Sequence, residues 1–302
     1  MKSELKKKYL REIPLHLMIL PGILLVIIYS YVPMLGLGIA FQDFIPSKGF
    51  FGSKWIGLEN IKYVLEMPGI FRIIWNTLYI ANMKIILGII VPVIFALLLN
   101  EIHKGGIKRS IQTIVYLPYF LSWVILGGIF IDLLSPQTGF VNDMIKAVGL
   151  KPIFFLGDNH WFPFTLVITN TWKDFGFNTI IYLAALTGID PTLYEACTVD
   201  GGNRWKQTLY ITLPSLLPYI ILMSCLSLGN ILNAGFEQVF VLYSPSVYES
   251  GDIIDTLVYR LGFIDAQFGV ATVVGLFKSV VSFVMMVLSY KLAYKYSGYK
   301  IF

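Results

Sequence analysis

The sequence predicts an all-α integral membrane protein with six transmembrane helices. Of its 302 residues, 56% are hydrophobic and only 14% are charged, and the mean hydropathy is +0.72. A soluble domain carries about 25% charged residues. Six stretches are long and apolar enough to cross a bilayer, which takes about 20 residues each. We therefore expect lipid, in addition to a protein core, to cover the apolar side chains of one membrane domain.

The first predicted span follows a basic N-terminal segment. That segment covers residues 1–16, and residues 17–41 then contain no charged side chain. A secretory signal peptide would end its apolar stretch at a cleavage site with small residues. This stretch continues to Phe41 without such a site. We interpret it as a retained first span.

Five further apolar stretches complete the predicted membrane domain. Three of them contain charged residues, and Lys84 and Lys278 are single cations near the middle of their spans. The domain would then cover residues 17–293 and be followed by a cytoplasmic C-terminal tail, residues 294–302. The five stretches are residues 72–99, 110–131, 162–186, 213–236 and 268–292.

The distribution of basic residues predicts the orientation in the membrane. The N-terminus, the C-terminus and the two loops on their side carry 13 Lys and Arg residues, and the opposite side carries 6. Basic residues concentrate on the cytoplasmic side of bacterial membrane proteins. We expect a multi-pass protein of the bacterial plasma membrane with both termini in the cytoplasm. The net charge of +5 is explained by these clusters and does not indicate a nucleic-acid partner.

The loop between the fourth and fifth spans, residues 188–214, has an unusual pattern. Asp190 can cap a short helix that has Pro191 in its first turn. Gly201 and Gly202 end this helix and permit a sharp bend. A second amphipathic stretch then leads to Pro214, which can start the fifth span. Such a helix could serve as a rigid docking element for a soluble partner, or it could be an ordinary interfacial helix between two spans.

The same loop resembles the EAA loop of ABC importer permeases. That pattern is Glu-Ala-Ala, three residues, Gly, nine residues, Ile, one residue and Leu-Pro. Cys197 stands in place of the second Ala, Gly202 in place of a frequent Ala, and Asp200 fits the Asp-Gly form common in carbohydrate permeases. The matching residues are Glu195, Ala196, Gly201, Ile211, Leu213 and Pro214.

Further segments carry the resemblance over nearly the whole chain, from about residue 14 onward. The chain resembles the oligosaccharide branch of these permeases, and within it the LplB-like, alginate and rhamnogalacturonan importer subunits. The matching segments are 116–118, 172–186, 235–238 and 275–279.

The resemblance implies a type I ABC importer permease fold with a cytoplasmic coupling helix, and a specific assembly. The chain would form half of the pathway for a carbohydrate, an oligosaccharide with an acidic glycan as one option. Its partners would be a second homologous permease subunit, two ATPase subunits that bind ATP and Mg, and an extracellular solute-binding lipoprotein. No cofactor is expected on this chain. The residues implied to contact or position the ATPase are Glu195, Ala196, Asp200, Gly201, Gly202, Leu213 and Pro214.

Polar residues inside the spans are candidates for the transport path, because such groups are costly unless they face protein or water. Asn170, Asp174 and Asn178 recur at four-residue intervals in the fourth span, and Trp172 lies among them. Polar side chains of this kind can bind sugar hydroxyls, or they can link helices to one another. Lys84 and Lys278 could contact an anionic substrate or the partner subunit. A second candidate group lies in the fifth span and its extension: Asn233, Glu237 and Gln238.

The sequence shows no sign of catalytic chemistry. It has no Walker loop, and His16, His103 and His160 are scattered. Cys197 and Cys225 belong to no metal or redox motif. An ABC permease for a non-sugar solute, such as a peptide, remains an alternative. An ATP-independent channel or secondary carrier is a further alternative, although no paired interrupted helices repeat between the two halves. A membrane-bound enzyme is disfavoured by the lack of catalytic residues.

Overall fold

A computed structural model describes residues 2–102 and 104–297, with side chains in 12–102 and 104–291. His103, the last residues of the predicted C-terminal tail and the side chains of Lys2 to Arg11 lie outside this description. Most of the described chain is helical. The α-helices are α1 (Lys2–Val26), α2 (Val32–Met34), α3 (Gly49–Gly52), α4 (Glu59–Glu66), α5 (Ile70–Asn100), α6 (Gly105–Tyr116), α7 (Trp123–Leu133), α8 (Phe140–Ala147), α9 (Phe162–Thr187), α10 (Pro191–Val199), α11 (Arg204–Gln207), α12 (Leu213–Leu228), α13 (Phe236–Leu242), α14 (Tyr248–Gly251), α15 (Ile254–Tyr259) and α16 (Phe268–Ser297).

Shorter elements connect several of these helices. A single antiparallel ribbon of two strands, β1 (Gln42–Asp43) and β2 (Lys54–Trp55), occurs among the described residues. Two of the π-helical turns come just before a proline, Pro33 and Pro214. A proline ring clashes with the carbonyl four residues earlier, and a wider turn relieves that clash. The π turns are Ile27–Tyr31, Thr208–Thr212 and Arg260–Ile264, and the 3₁₀ turns are Leu35–Phe41, Leu117–Phe120 and Pro245–Val247.

The chain divides into two compact units, of which the smaller comprises residues 1–67 and 260–276. In this unit the Asn60 side chain donates hydrogen bonds to the carbonyls of Ala40 and Gln42, both at 3.0 Å. Phe44 packs edge-on against Phe268, with ring centroids 5.9 Å apart. These contacts fix the end of the first long helix to the segment that follows it.

The larger unit, residues 68–259 and 277–302, is built on the pairing of α5 with α9. One core surrounds the start of α9, where Phe162 and Leu166 are fully buried beside Leu126 of α7. A second core surrounds the end of α9, where Leu186 packs with Leu216 of α12. The two cores leave the middle of α9, which carries the polar residues of the predicted transport path, between them.

Four helical segments among the described residues are long and apolar enough to cross a membrane. The number of such segments rises to five if the bent pair α6 and α7 forms one span. Helix α9, with 26 residues, is also long enough for a bilayer, but its polar residues leave it less apolar than the others. The count of six spans therefore stays a prediction. The four segments are Glu12–Phe41, Ile70–Asn100, Arg204–Leu228 and Phe268–Lys291.

The third and fifth predicted spans differ from straight helices. Residues 110–131 were expected to be continuous, but the chain bends by 101° between Phe120 and Trp123. The fifth helix begins at Arg204 rather than Pro214 and ends at Leu228, so the expectation of an uninterrupted span through residue 236 is wrong. In both places the apolar composition continues through a break in the backbone, which hydropathy does not detect.

A buried lysine stabilises the bend in the third span. The Lys173 ammonium of α9 donates a hydrogen bond of 2.8 Å to the carbonyl of Tyr119 and lies over the rings of Tyr119 and Trp123, at 5.1 and 5.8 Å. The 3₁₀ turn leaves this carbonyl outside the α-helical ladder, and an unpaired buried carbonyl is costly. Lys173 therefore gives its hydrogen bond to the bend, and its charge also attracts that of its neighbour Asp174.

The close approach of α6 to α9 generates a stability prediction. A methyl group on Gly176 would overlap the backbone carbonyl of Val115, whereas one on Gly128 of α7 would meet nothing within 4 Å. We expect Gly176→Ala to lower the free energy of unfolding by about 1–3 kcal/mol through overpacking. Gly128→Ala is the matched control and should be neutral or slightly stabilising. Thermal unfolding of the purified protein in detergent measures both, and equal melting temperatures would contradict the predicted contact.

Candidate coupling loop and polar cavity

The short helix predicted in the loop is confirmed as α10, and its first turn is capped by Asp190. The Asp190 carboxylate accepts a 2.9 Å hydrogen bond from the backbone N–H of Thr192. Hydrogen bonds from the Thr192 backbone and side chain hold the pKa of Asp190 below its ordinary value. The cap therefore contributes stability above the ordinary pKa of an aspartate and loses it as the pH falls through the lowered value.

The end of α10 is a Schellman motif formed by the two glycines. Gly201 has a φ of +74°, the left-handed conformation that glycine adopts without strain. The N–H of Gly201 donates to the carbonyl of Thr198 at 3.1 Å, and the N–H of Gly202 donates to the carbonyl of Cys197 at 2.8 Å. These bonds satisfy the last carbonyls of α10 and turn the chain sharply towards α11.

The two departures from the EAA pattern, Cys197 and Gly202, are in contact with each other. A methyl group on Gly202 would overlap the Cys197 sulfur and would lie 2.7 Å from the Cys197 carbonyl oxygen. Glycine at position 202 therefore leaves space for the sulfur that the larger residue at position 197 brings. The two substitutions form one local packing arrangement.

Hydrogen bonds attach α10 to the start of the fifth long helix. The Tyr194 and Thr212 hydroxyls are 3.0 Å apart, and the Gln207 amide donates to the Thr198 hydroxyl at 2.9 Å. Arg204 of α11 forms an ion pair with Glu101, which directly follows α5. The loop is thus connected to both α5 and α12.

The opposite face of α10 is exposed and largely apolar. Glu195 and Ala196 are exposed, Leu193 is 49% exposed and Val199 is 87% exposed. The predicted coupling residues 195 and 196 lie on this helix, whereas Asp200, Gly201 and Gly202 form its end. Leu213 and Pro214 belong to the long helix that follows.

A polar cavity of about 380 Å³ lies between α5, α9, α12 and the turn after α12. Its walls combine carboxylate, ammonium, amide and hydroxyl groups with a few aromatic rings. It is named below the polar cavity, and its lining residues are Ala81, Lys84, Ile85, Gly88, Ile89, Asn170, Thr171, Asp174, Phe175, Asn178, Tyr182, Met223, Ser227, Asn230, Asn233, Ala234 and Gly235.

The structure brings together four of the predicted path residues and separates three. Those that line the polar cavity are Asn170, Asp174, Asn178 and Asn233. Trp172 is half-exposed and packs edge-on against Phe130, and Glu237 is exposed; neither lines the cavity. Gln238 is fully buried beside it.

Lys84 is held inside the polar cavity by the turn that follows α12. Its ammonium donates a 2.6 Å hydrogen bond to the carbonyl of Ala234 and a second hydrogen bond to the side-chain oxygen of Gln238. The Gln238 amide in turn donates to the Leu166 carbonyl and the Thr169 hydroxyl, both at 2.8 Å. Gln238 therefore positions Lys84 instead of facing the cavity itself.

Lys278, the other single cation, forms an ion pair with Asp255 at 2.5 Å, and both side chains are mostly buried. Because this partner lies in the same chain, Lys278 does not need a substrate or another subunit to neutralise its charge. The described residues contain no group of three His, Cys, Asp or Glu side chains placed to hold a metal ion.

The sequence argument missed Thr171, Phe175 and Tyr182 in the cavity wall. These residues and Asn178 are spaced by four, three and four positions, which is the period of one α-helical face. Asn170, Asp174 and Asn178 are four residues apart, which is slightly more than one helical turn, so their side chains rotate gradually around α9. A sequence pattern based on 3.6 residues per turn would have included Phe175 and Tyr182 in the cavity wall.

Comparison with known proteins identifies the family. Residues 85–297 match the description "Binding-protein-dependent transport system inner membrane component". The chain belongs to this family. The match confirms the resemblance inferred from the loop and identifies a multi-pass permease subunit of a bacterial membrane. In these importers ATP hydrolysis belongs to a partner ATPase, so the permease is not itself the enzyme.

Several relatives of this permease are named as sugar or oligosaccharide transport permeases. It is 38% identical over 289 residues to the polygalacturonan/rhamnogalacturonan transport system permease protein YteP of Bacillus subtilis strain 168, covering 96% of this chain and 90% of that protein. It is 39% identical to the protein LplB of the same strain, covering 90% and 86% of the two chains.

A solved structure gives the same result for the fold. A crystal structure of a bacterial ABC transporter involved in the import of the acidic polysaccharide alginate contains a chain 38% identical to this permease, with a TM-score of 0.90, covering 97% of this chain and 99% of that chain. A second structure of the alginate transporter includes its alginate pentasaccharide-bound periplasmic protein, with a TM-score of 0.88, 37% identity and 96% of each chain covered. The permease therefore has the ABC importer permease fold.

The contact between Cys197 and Gly202 generates a prediction. We expect Gly202→Ala to destabilise the end of α10 by about 1–3 kcal/mol because the methyl group overlaps Cys197. Adding Cys197→Ala should recover part of this loss, since the sulfur is removed while the close carbonyl remains. Hydrogen–deuterium exchange of the amides of α10 measures the loss of protection. If the double variant exchanges as fast as Gly202→Ala alone, the two positions are not coupled.

Proposed function

We propose that this permease is one of two membrane subunits that form the pathway of an ABC importer for a carbohydrate, an oligosaccharide with an acidic glycan as one option. The observation that carries the proposal is the similarity over nearly the full chain to a rhamnogalacturonan permease and to a chain of the alginate importer. A cavity lined with hydrogen-bonding side chains in the larger unit is consistent with a hydroxyl-rich substrate.

The proposed assembly contains three kinds of partner subunit. An extracellular solute-binding protein delivers the substrate, as the alginate transporter and its periplasmic protein suggest. A second, homologous permease completes the pathway, and two ATPase subunits bind ATP and Mg. This chain holds no cofactor of its own. Lipid surrounds the six spans, and both termini lie in the cytoplasm, in agreement with the excess of basic residues on that side.

The loop around α10 transmits force between the ATPases and the membrane domain in this proposal. Its exposed face offers Leu193, Ala196 and Val199 to a groove on the ATPase, with Glu195 beside them. Hydrogen bonds from Tyr194 and Gln207 connect α10 to the fifth helix, so that a displacement of α10 moves the start of that helix. Asp200, Gly201 and Gly202 fix the bend between the two.

The polar cavity is the proposed part of the substrate path in this chain. Asn170, Asp174, Asn178 and Asn233 would bind sugar hydroxyls there. An alternative role for the same groups is structural, either linking α9 to its neighbours or pairing within α9, where Asn170 donates a 2.6 Å hydrogen bond to Asp174. Trp172 and Glu237 remain candidate path residues only if another conformation turns them inward.

Isolation of the native complex tests the assembly. We expect gentle solubilisation of the native membrane to recover this permease with a second EAA-type permease and an ATPase, and a solute-binding lipoprotein in the set would provide a means of finding the ligand. Mass spectrometry identifies the partners. Recovery of the chain alone as a homo-oligomer under several mild conditions would favour an ATP-independent channel or carrier. A ligand that proves to be a peptide would favour the non-sugar alternative.

Variants of the loop test the transmission of force. We expect Glu195→Lys combined with Gly201→Val to abolish ATP-dependent uptake, because the first reverses a charge on the exposed helix and the second forces a β-branched residue into a left-handed conformation. Thr187→Ala, in a residue that precedes the loop, is the control. Uptake into proteoliposomes is the measurement, and unchanged uptake by the double variant would reject the lever mechanism.

A further inference from the structure

Another cavity, of about 600 Å³, lies between the ends of two membrane-spanning segments. The last two turns of α5 contribute Ile94 and Leu98 to one wall, and the start of the fifth helix contributes Leu209 and Leu213 to the other. We call this cavity the interfacial pocket. Its walls are mostly apolar, so a hydrocarbon chain is a better occupant than water.

Charged and aromatic side chains lie at the end of the interfacial pocket where α5 ends and α11 begins. Glu101, Arg204 and Trp205 all line the pocket there. Trp205 is 69% exposed, and tryptophan is enriched at the level of the lipid headgroups. From Ile94 to Glu101 the α5 wall covers about two helical turns. Over this short distance the pocket changes from hydrocarbon to headgroup chemistry.

The basic groups at this end can bind a phosphate. The Arg204 guanidinium has five N–H donors, and the one hydrogen bond that the structure gives it, among the described residues, goes to Glu101. Its other donors are available to a second acceptor. Lys206, next to Trp205, and Lys104, three residues after Glu101, are both exposed. The three basic residues outnumber the one carboxylate, so the net charge of the group is positive.

A phospholipid combines the two properties that the interfacial pocket requires. Its acyl chain fits the apolar walls, and its phosphate fits the basic end. Basic pockets between the ends of membrane helices bind anionic headgroups. A sugar or a free phosphate ion has no group that would fill the apolar part.

We propose that the interfacial pocket binds an anionic phospholipid, with one acyl chain between α5 and the fifth helix and the phosphate at Arg204 and Lys206. The ligand is a component of the membrane and not the transported solute. The proposal therefore goes beyond the proposed function and holds for any substrate of the importer.

A lipid in this position contacts the base of the loop around α10. Tyr194 of α10 lines the interfacial pocket, and its hydroxyl lies 3.0 Å from that of Thr212. Gln207 also lines the pocket and donates to the Thr198 hydroxyl of α10 at 2.9 Å. An acyl chain that packs against Tyr194 and Gln207 stabilises these hydrogen bonds. The composition of the membrane then influences the rigidity of the loop.

Two competing explanations account for some of these features. Arg204 and Glu101 could form an ion pair that only joins α11 to α5, with no lipid involved. Another subunit of the importer could also cover the apolar walls. The experiment must separate lipid binding from both.

Glu101 separates lipid binding from a structural ion pair, because its carboxylate repels a phosphate. Arg204→Gln and Glu101→Gln both break the ion pair, but only the first removes a contact to the phosphate. If the pair is only structural, the two variants change lipid binding in the same direction. If the pocket binds an anionic lipid, they change it in opposite directions.

The experiment uses the full importer complex, delipidated in detergent, and two lipid probes. Dioleoylphosphatidylglycerol is anionic and dioleoylphosphatidylcholine is zwitterionic, and both have the same acyl chains. Native mass spectrometry measures how many molecules of each lipid the complex binds and with what affinity. Differences between variants assign one binding event to the interfacial pocket.

We expect Arg204→Gln to lower the affinity of one phosphatidylglycerol molecule by about fivefold, which is the effect of one lost cation near a headgroup. Lys206→Gln should lower this affinity by a similar factor, whereas Glu101→Gln should raise it. The affinity for phosphatidylcholine should change less in each variant. Lys62→Gln removes an exposed cation that does not line the pocket and should leave both affinities unchanged.

A further pair of variants tests the acyl chain. Leu98→Trp places a larger side chain in the interfacial pocket and should displace one molecule of either lipid. Ile86→Trp makes a matched change about three turns earlier on α5, at an exposed residue that does not line the pocket, and should displace none. If Leu98→Trp prevents assembly, Ile94→Trp carries the test.

Three results would overturn the proposal. The first is an equal affinity for the two lipids in the wild type, and the second is a change in the same direction in Arg204→Gln and Glu101→Gln. The third is loss of the second permease or the ATPase from the Leu98→Trp complex with no change in bound lipid, which would assign the pocket to that subunit. Uptake measurements test the proposed function separately, and it stands whether or not the pocket binds a lipid.

Discussion

The structure depends on one constraint, that a backbone carbonyl in an apolar environment must have a hydrogen-bond partner. Two apolar stretches of the larger unit are interrupted, after Phe120 and after Leu228, and each interruption leaves a backbone carbonyl without a partner within an α-helix. A lysine from a neighbouring helix binds each one, Lys173 at Tyr119 and Lys84 at Ala234. The same lysines place positive charge within the membrane domain. In the second case the charge also reaches the polar cavity, so the support of a turn and the chemistry of the site share one side chain.

The sequence predicted the loop around α10 well because the signals there are local. Asp190, Pro191 and Gly201 act on residues within a few positions of themselves, and their effects on φ and on orphan N–H and C=O groups are the same in any context. The cap, the helix and the sharp end all follow from this short segment. The contact between Cys197 and Gly202 was also predictable in principle, because both residues belong to the same helix end.

The cavity was only partly predictable because it is formed by residues far apart in the chain. Asn170 and Asp174 were found from their polarity, but Thr171 and Tyr182 look like ordinary core residues until α5 and α12 surround them. Trp172 was assigned to the path by its neighbours in sequence, yet the helix turns it towards Phe130. Hydropathy also missed the bend in the third span, since an average over side chains contains no information on backbone direction.

The hydrogen bonds of the buried lysines have a consequence for the synthesis of the chain. Lys173 is made 54 residues after its acceptor Tyr119, so its partner is already present when it enters the bilayer. Lys84 is made 150 residues before Ala234, and no such partner exists when α5 is inserted. Its strongly apolar helix must carry the cost of an isolated cation, about 3 kcal/mol at the bilayer centre, until the fifth helix arrives. Because of the order of translation, α5 must insert through the hydrophobicity of its own side chains, and Lys84 forms its hydrogen bonds only after the fifth helix has been made.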